Sequence, residues 1–268
     1  MTSASYSDTR ISPSNLRIGV VESVVIGSEP LRVAADIGFD GVEVVLPVAS
    51  TGEALALVAG AQARTNVAIP SIIVGAHNVH GGVADTDPVV ALRARDDVRR
   101  ALAWADALGA DTILVPFFLA ADLTSDEAVE RCASAFAQLC PDAERAGVTL
   151  CFEGSLPADA VVALAQRVDS QAFGCYFDPA NLVVAGLDPE SEARTLGTLI
   201  RRVHLKDTRE GRGDCRLGEG RVDFTSCAAA LADIGYDGWL VVEGPPGDAE
   251  AIARDLSFVQ SFVPTLRQ

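Results

Sequence analysis

The chain has 268 residues, 49% of them hydrophobic, and 37 acidic side chains against 21 Lys and Arg give it a formal net charge of −16. That balance excludes nucleic acid as the main partner, because binding a phosphate backbone needs a basic footprint. No apolar run approaches the ~20 residues that span a bilayer, so no membrane partner is expected, and the length suits one α/β barrel.

The opening, residues 1–15, is polar and Ser/Thr-rich with no apolar signal region, and it is expected to be a disordered tail on a cytoplasmic protein. From there strand-like and helix-like runs alternate to the end as one domain over 16–268. LRIGVV (16–21) precedes a helix near 28–37, and GVEVV (41–45) precedes one near 51–64. AIPSIIVG (68–75) leads through a loop to a long helix near 87–108, and DTILVPF (111–117) leads to 124–146. VTLCFEG (148–154) precedes 156–168, and FGCYFD (173–178) precedes a helix near 189–198. RRVHLKD (201–207) precedes 223–234, and GWLVVEG (238–244) precedes 248–264.

Eight short β-branched or aromatic runs separated by helical patterns predict a parallel sheet closed into a (β/α)8 TIM barrel. GFDG (38–41), LGAD (108–111) and GYDG (235–238) each end a helix with Gly before a strand opens, which supports the phase. An open doubly wound sheet is the alternative, but VVESVVIGSEP after the first strand carries no Gly-rich phosphate turn.

Cys132, Cys140, Cys151, Cys175, Cys215 and Cys227 show no CxxC pair or zinc-finger spacing. They read as reduced core residues, with a nucleophilic cysteine as the minor alternative. Two polar, Gly-rich loops, 76–88 after strand three and 208–221 after strand seven, leave the carboxyl ends of their strands, where substrate contacts gather. His77 and His80 in the first loop are candidates for such a contact, against a plain surface loop.

The chemistry concentrates at four strand ends: Glu153 in VTLCFEG, Asp178 in FGCYFDPAN, His204 in RRVHLKD and Glu243 in WLVVEG. The carboxyl ends of barrel strands converge on one open face. Three carboxylates and one imidazole meeting there would form a divalent-metal site suited to Mn²⁺, Mg²⁺ or Co²⁺, with Zn²⁺ also compatible. Such an ion could take two neighbouring oxygens of a polyol or hydroxyketone, acidify the C–H next to the carbonyl and hold the resulting enediolate, while a carboxylate removes and returns the proton. Taken singly, Asp178 before Pro179 could form only an Asx turn, and His204 in its apolar run could be a core histidine. Lys206 and Asp207 read either as a structural ion pair or as groups that orient His204.

In their order and strand-end positions Glu153, Asp178, His204 and Glu243, with HLKD and the downstream LGEGRVDF, resemble the sugar isomerase/epimerase superfamily with the xylose isomerase-like TIM barrel. Ketose 3-epimerases, hydroxypyruvate isomerases and inosose dehydratases are the branches it resembles most, over about residues 16–264. The resemblance implies a metal-dependent isomerase or epimerase of a small carbohydrate, usually a homodimer or tetramer. It implies that Glu153 and Glu243 both bind metal and act as acid/base groups on opposite faces of the substrate, and that Asp178 and His204 complete the metal shell. It further implies Arg216 as an arginine polarising the substrate oxygens and Glu43 as an acidic residue near the pocket. One departure stands out: where many relatives carry a His three positions after the strand-six Asp, this chain has Asn181, which can hydrogen-bond a sugar hydroxyl but cannot carry a proton. A lyase of inosose or 3-oxo-glycoside type, and a non-catalytic barrel binding a sugar or a partner, are the competing expectations. With three His in all, the chain lacks the ligands of the superfamily's abasic-site endonucleases.

Overall fold

The short β-branched runs pair as eight parallel strands: β1 Arg17–Val21, β2 Gly41–Val45, β3 Ile72–Ile73, β4 Thr112–Phe117, β5 Thr149–Gly154, β6 Phe173–Phe177, β7 Ile200–Leu205 and β8 Trp239–Val242. In this computed structural model, which describes residues 16–48 and 51–266, they close in sequence order, with β8 paired back to β1. The tail expected over 1–15 lies outside the described residues. Helices α1 Pro30–Ile37, α2 Gly52–Thr65, α4 Pro88–Leu108, α5 Asp126–Ala146, α6 Ala158–Val168, α8 Pro189–Leu196, α9 Phe224–Asp233 and α10 Ala249–Leu266 follow the strands in turn. The fold is a (β/α)8 TIM barrel.

Local chemistry starts and stops these helices where the pattern changes. Thr51, Ser125, Asp87, Asp188 and Asp223 each accept a backbone N–H of the following first turn, satisfying donors that have no partner inside the helix. Gly38 and Gly109 end α1 and α4 in the left-handed region, φ 106° and 70°, where a side chain would be strained.

Two additional short helices occupy segments read as loop. α3 Ala76–His80 lies within 76–88, and α7 Pro179–Val184 follows β6 directly. α7 is explained by Asp178, whose Oδ1 accepts from Ala180 N at 2.9 Å and Asn181 N at 3.2 Å, with Pro179 at the first helical position. β3 is far shorter than the expected 68–75 because Pro70 has no N–H to offer a ladder. The segment still serves β2 with its carbonyls, Val42 N donating to Ala68 O and Val44 N to Ser71 O.

Alternation along β7 and β8 fixes what enters the barrel. His204 and Lys206 follow Arg202 by two and four positions on one ladder, and Glu243 follows Trp239 and Val241 on the next. At the amino end Trp239, 4% exposed, lies against Gly19 and Gly41 with Arg17 4.4 Å above its ring. At the carboxyl end the same ladders finish in the charged residues of the site.

The floor supplies a stability test. A Cβ on Gly41 would stand 2.7 Å from Trp239 Cη2 and 2.8 Å from the Ala68 carbonyl, neither of which is a flexible chain end. Gly41→Ala is expected to cost about 1–3 kcal/mol through overpacking, read as a lower denaturation midpoint with unchanged slope. An unchanged midpoint would show that the floor yields.

Candidate metal centre

His204 is the hub of the carboxyl end. Its Nδ1 lies 3.0 Å from Glu153 Oε1 and 3.0 Å from Glu243 Oε2, and its Nε2 lies 2.7 Å from Glu43 Oε2. Glu43 in β2 is itself held by the Tyr176 hydroxyl at 2.8 Å and the Ser71 hydroxyl at 2.5 Å, and the Tyr176 ring lies 4.1 Å from the imidazole. Lys206 Nζ donates to Asp178 Oδ2 and Glu243 Oε2, each at 2.8 Å. Asn181 Nδ2 donates to Asp178 Oδ2 at 3.0 Å and Glu153 Oε1 at 3.4 Å. One ligand atom from each of Glu153, Asp178, His204 and Glu243 falls within 4.8 Å of the other three.

Burial and charge act against each other here. Burial pushes the Glu153 carboxyl up to about 7, against the pull of His204 and Lys206. For Glu243 burial acts in the same direction, but Lys206 and His204 outweigh it and hold the group well below the usual carboxylate range. Burial would neutralise His204, yet Glu243, Glu43 and Glu153 together raise it well above an ordinary histidine. Lys206 is likewise raised, Asp178 and Glu243 overcoming its burial. Both ring nitrogens thus face carboxylate oxygens able to accept from them.

A cavity of about 400 Å³ opens onto this cluster, the size of a small-molecule site. Glu153, Asn181, His204, Lys206 and Glu243 line its charged end, and Ile73, Leu114, Pro116 and Phe118 line its apolar walls. Phe117, by contrast, is in the core, stacked on Phe152 at 5.0 Å. Asn78 and Arg212 also line the cavity, although the sequence reading singled out neither. Arg212 is set over the Phe118 ring at 4.7 Å and donates to Ser155 Oγ at 3.0 Å. Asn78 had a signal in hindsight: it sits between two histidines in a short segment, and the turn of α3 brings it to the cavity.

Several expected residues stand elsewhere. Arg216 does not line the cavity; it is tied to Asp255 Oδ2 at 2.7 Å and the Pro245 carbonyl at 2.8 Å, pinning the loop after β8 to α10. His77 is fully buried, its Nε2 3.0 Å from the Ala94 carbonyl, and burial lowers it to about 4, while His80 is exposed; neither reaches the cavity. Glu43 sits beneath the cavity, against His204. Lys206 and Asp207 are not a pair, because successive strand residues face opposite ways. Asp207 instead accepts from the backbone N–H of Thr208, Gly218, Gly220 and Val222 at 2.8–3.1 Å and organises the 208–221 loop. The six cysteines are free and buried, and burial pushes the Cys151 thiol up to about 12, so it offers no thiolate nucleophile.

The xylose isomerase-like TIM barrel family matches residues 31–262. The chain belongs to that family. Among its curated relatives is L-ribulose-5-phosphate 3-epimerase UlaE of Salmonella paratyphi C (strain RKS4594), 29% identical over 254 residues covering 88% of each chain. Solved structures sharing the fold include an L-ribulose 3-epimerase, with TM-score 0.81 and 22% identity over 94% of this chain and 96% of that one. D-allulose 3-epimerase from Methylomonas sp. in complex with D-allulose superposes with TM-score 0.79 at 19% identity, over 93% of this chain and 98% of that one.

In this xylose isomerase-like barrel the donor set fits a divalent cation. Three carboxylates and one imidazole nitrogen lie within 4.8 Å of one another, more negative charge than the single ammonium of Lys206 offsets, and Glu43 on Nε2 leaves Nδ1 as the candidate ligand atom. The buried Asn181 Oδ1 has no partner among the described residues and is a further oxygen at the cluster. A cation bound there would displace any proton held by His204 Nδ1 or Glu153. Metal affinity is therefore expected to rise with pH through about 7, with protons released on binding, measured by calorimetry in buffers of different ionisation enthalpy. Glu43→Gln is expected to weaken the metal about 10- to 100-fold with the fold intact. An unchanged dissociation constant in that variant would show that Glu43 does not set the ring.

Proposed function

We propose that this chain is a divalent-metal-dependent ketose 3-epimerase acting on a small sugar. The observation that carries the reading is the pairing of Glu153 from β5 with Glu243 after β8, both reaching His204 Nδ1 at 3.0 Å and both bordering one cavity. Inverting a carbon next to a carbonyl needs one group to take a proton and another to return it on the opposite face. Two carboxylates from different strands offer such a pair of groups.

Glu153, Asp178, His204 and Glu243 would hold the ion. When bound, it supplies positive charge that stabilises negative charge developing on neighbouring substrate oxygens. The remaining work belongs to the chain. One glutamate accepts the carbon-bound proton, the other delivers a proton to the opposite face, and Glu43 keeps the His204 ring from turning. The apolar wall of Ile73, Leu114 and Phe118 limits water at the reacting carbon. The hard oxygen donors favour Mn²⁺, Mg²⁺ or Co²⁺ over thiolate-seeking metals. The relatives named as L-ribulose-5-phosphate 3-epimerases support a ketose substrate and direct the first assays to pentuloses.

The test uses metal-loaded protein in D₂O with L-ribulose 5-phosphate, L-ribulose and D-allulose, followed by proton NMR and mass spectrometry. The wild type is expected to exchange the C3 hydrogen with solvent and to form the C3 epimer without loss of mass. Glu153→Gln and Glu243→Gln are each expected to lower turnover at least ~100-fold while remaining folded. Turnover within about tenfold of wild type in either variant would remove that residue from acid/base work. A product lighter by water would replace the epimerase with a lyase.

A further inference from the structure

We propose that Lys206 is a catalytic residue whose ammonium donates a hydrogen bond to the substrate oxygen that becomes negative when the neighbouring carbon loses its proton. The inference rests on the epimerase reading and adds to the site a group that the metal and the two glutamates do not supply.

Placement comes first. Lys206 follows His204 by two residues, just past the end of β7, so it stands one step nearer the open end, beside the metal cluster and on the cavity wall. It is 7% exposed and lines the cavity beside Glu153 and Glu243. An ammonium has three donors. Asp178 and Glu243 take two of them at 2.8 Å each, and the third is left for the cavity.

The side chain is also fixed from the other side. Gly213, at φ 68°, lays the 208–221 loop over the lysine stem, and a Cβ there would stand 3.3 Å from Lys206 Cδ. Asp207 holds that loop through four backbone N–H groups. The cation is thus pre-positioned by two carboxylates below and a glycine above, the arrangement in which a charge stabilises a transition state without reorganising.

The step balances within the site. The C–H bond breaks, its proton passes to one glutamate and its electron pair forms C=C, while the carbonyl pair moves onto oxygen beside the Lys206 ammonium. Reprotonation of carbon on the opposite face reverses the electron flow, and no oxidant or reductant is consumed.

The experiment compares wild type, Lys206→Met and Lys206→Arg, all metal-loaded, on whichever of L-ribulose 5-phosphate, L-ribulose and D-allulose the wild type turns over fastest. Metal content by elemental mass spectrometry is read beside kcat and KM. Lys206→Met is expected to keep its metal, to hold KM within about threefold and to lose about 100-fold in kcat, with partial recovery in Lys206→Arg. If Lys206→Met does not fold, Lys206→Gln takes its place with the same expectations. A kcat within about threefold of wild type overturns the proposal, as does a loss that saturating metal restores, since the lysine then only holds the ligands. A wild type that exchanges no substrate hydrogen overturns the epimerase reading and this role together.

Discussion

Both ring nitrogens of His204 face carboxylates in a buried site, and most of the molecule's carboxyl end is arranged around that fact. An imidazole so placed must carry two protons or surrender one to a cation; a neutral ring would leave Nδ1 lone pair against Glu153 and Glu243. Glu43 decides which nitrogen faces the cluster, and Tyr176 and Ser71 decide where Glu43 points. The chain of contacts runs from β2 through β6 to β7, so three strands must be in register before one ligand is correctly aimed. Barrel closure and the geometry of the candidate metal site are the same constraint here.

The second ladder of constraint is the alternation along β7. One face places Arg202 low in the barrel, His204 at the cluster and Lys206 at the cavity; the other turns Asp207 outward to bind the backbone of the following loop. A one-residue slip would exchange these roles and leave buried charges without partners. Gly220 shows how closely the loop is fitted: an added Cβ would overlap the Asp207 carboxylate. The loop that covers Lys206 is thus held by the residue next to it in sequence, so stem, cover and anchor all come from one strand end and its loop.

The barrel and the four-residue cluster were legible because both rest on repetition. Eight apolar runs at βα spacing point to a closed sheet, and a polar residue at the end of an apolar strand stands out against its neighbours. What escaped was whatever depended on the path of a loop. Arg216 and Arg212 lie four residues apart in one Gly-rich segment, and nothing in their spacing tells which turns to α10 and which to the cavity. His77 and His80 attracted attention as residue types, but the short helix α3 sends one into the protein and the other to solvent, leaving Asn78 to face the cavity. The roles of Glu43 and Asp207 were similarly hidden, since each depends on strand direction rather than on identity.

Asn181 connects the legible and the hidden parts. Its amide nitrogen donates to Asp178 and Glu153, so it ties the strand-six carboxylate to the strand-five carboxylate and restricts Glu153. A histidine at this position would bring a second titrating ring to a cluster whose charge is already divided among four carboxylates and two cations. The amide brings hydrogen bonds without charge, and its buried, unpartnered Oδ1 retains an acceptor beside the ligands. On the wall of the cavity, that oxygen can accept from a hydroxyl or a water.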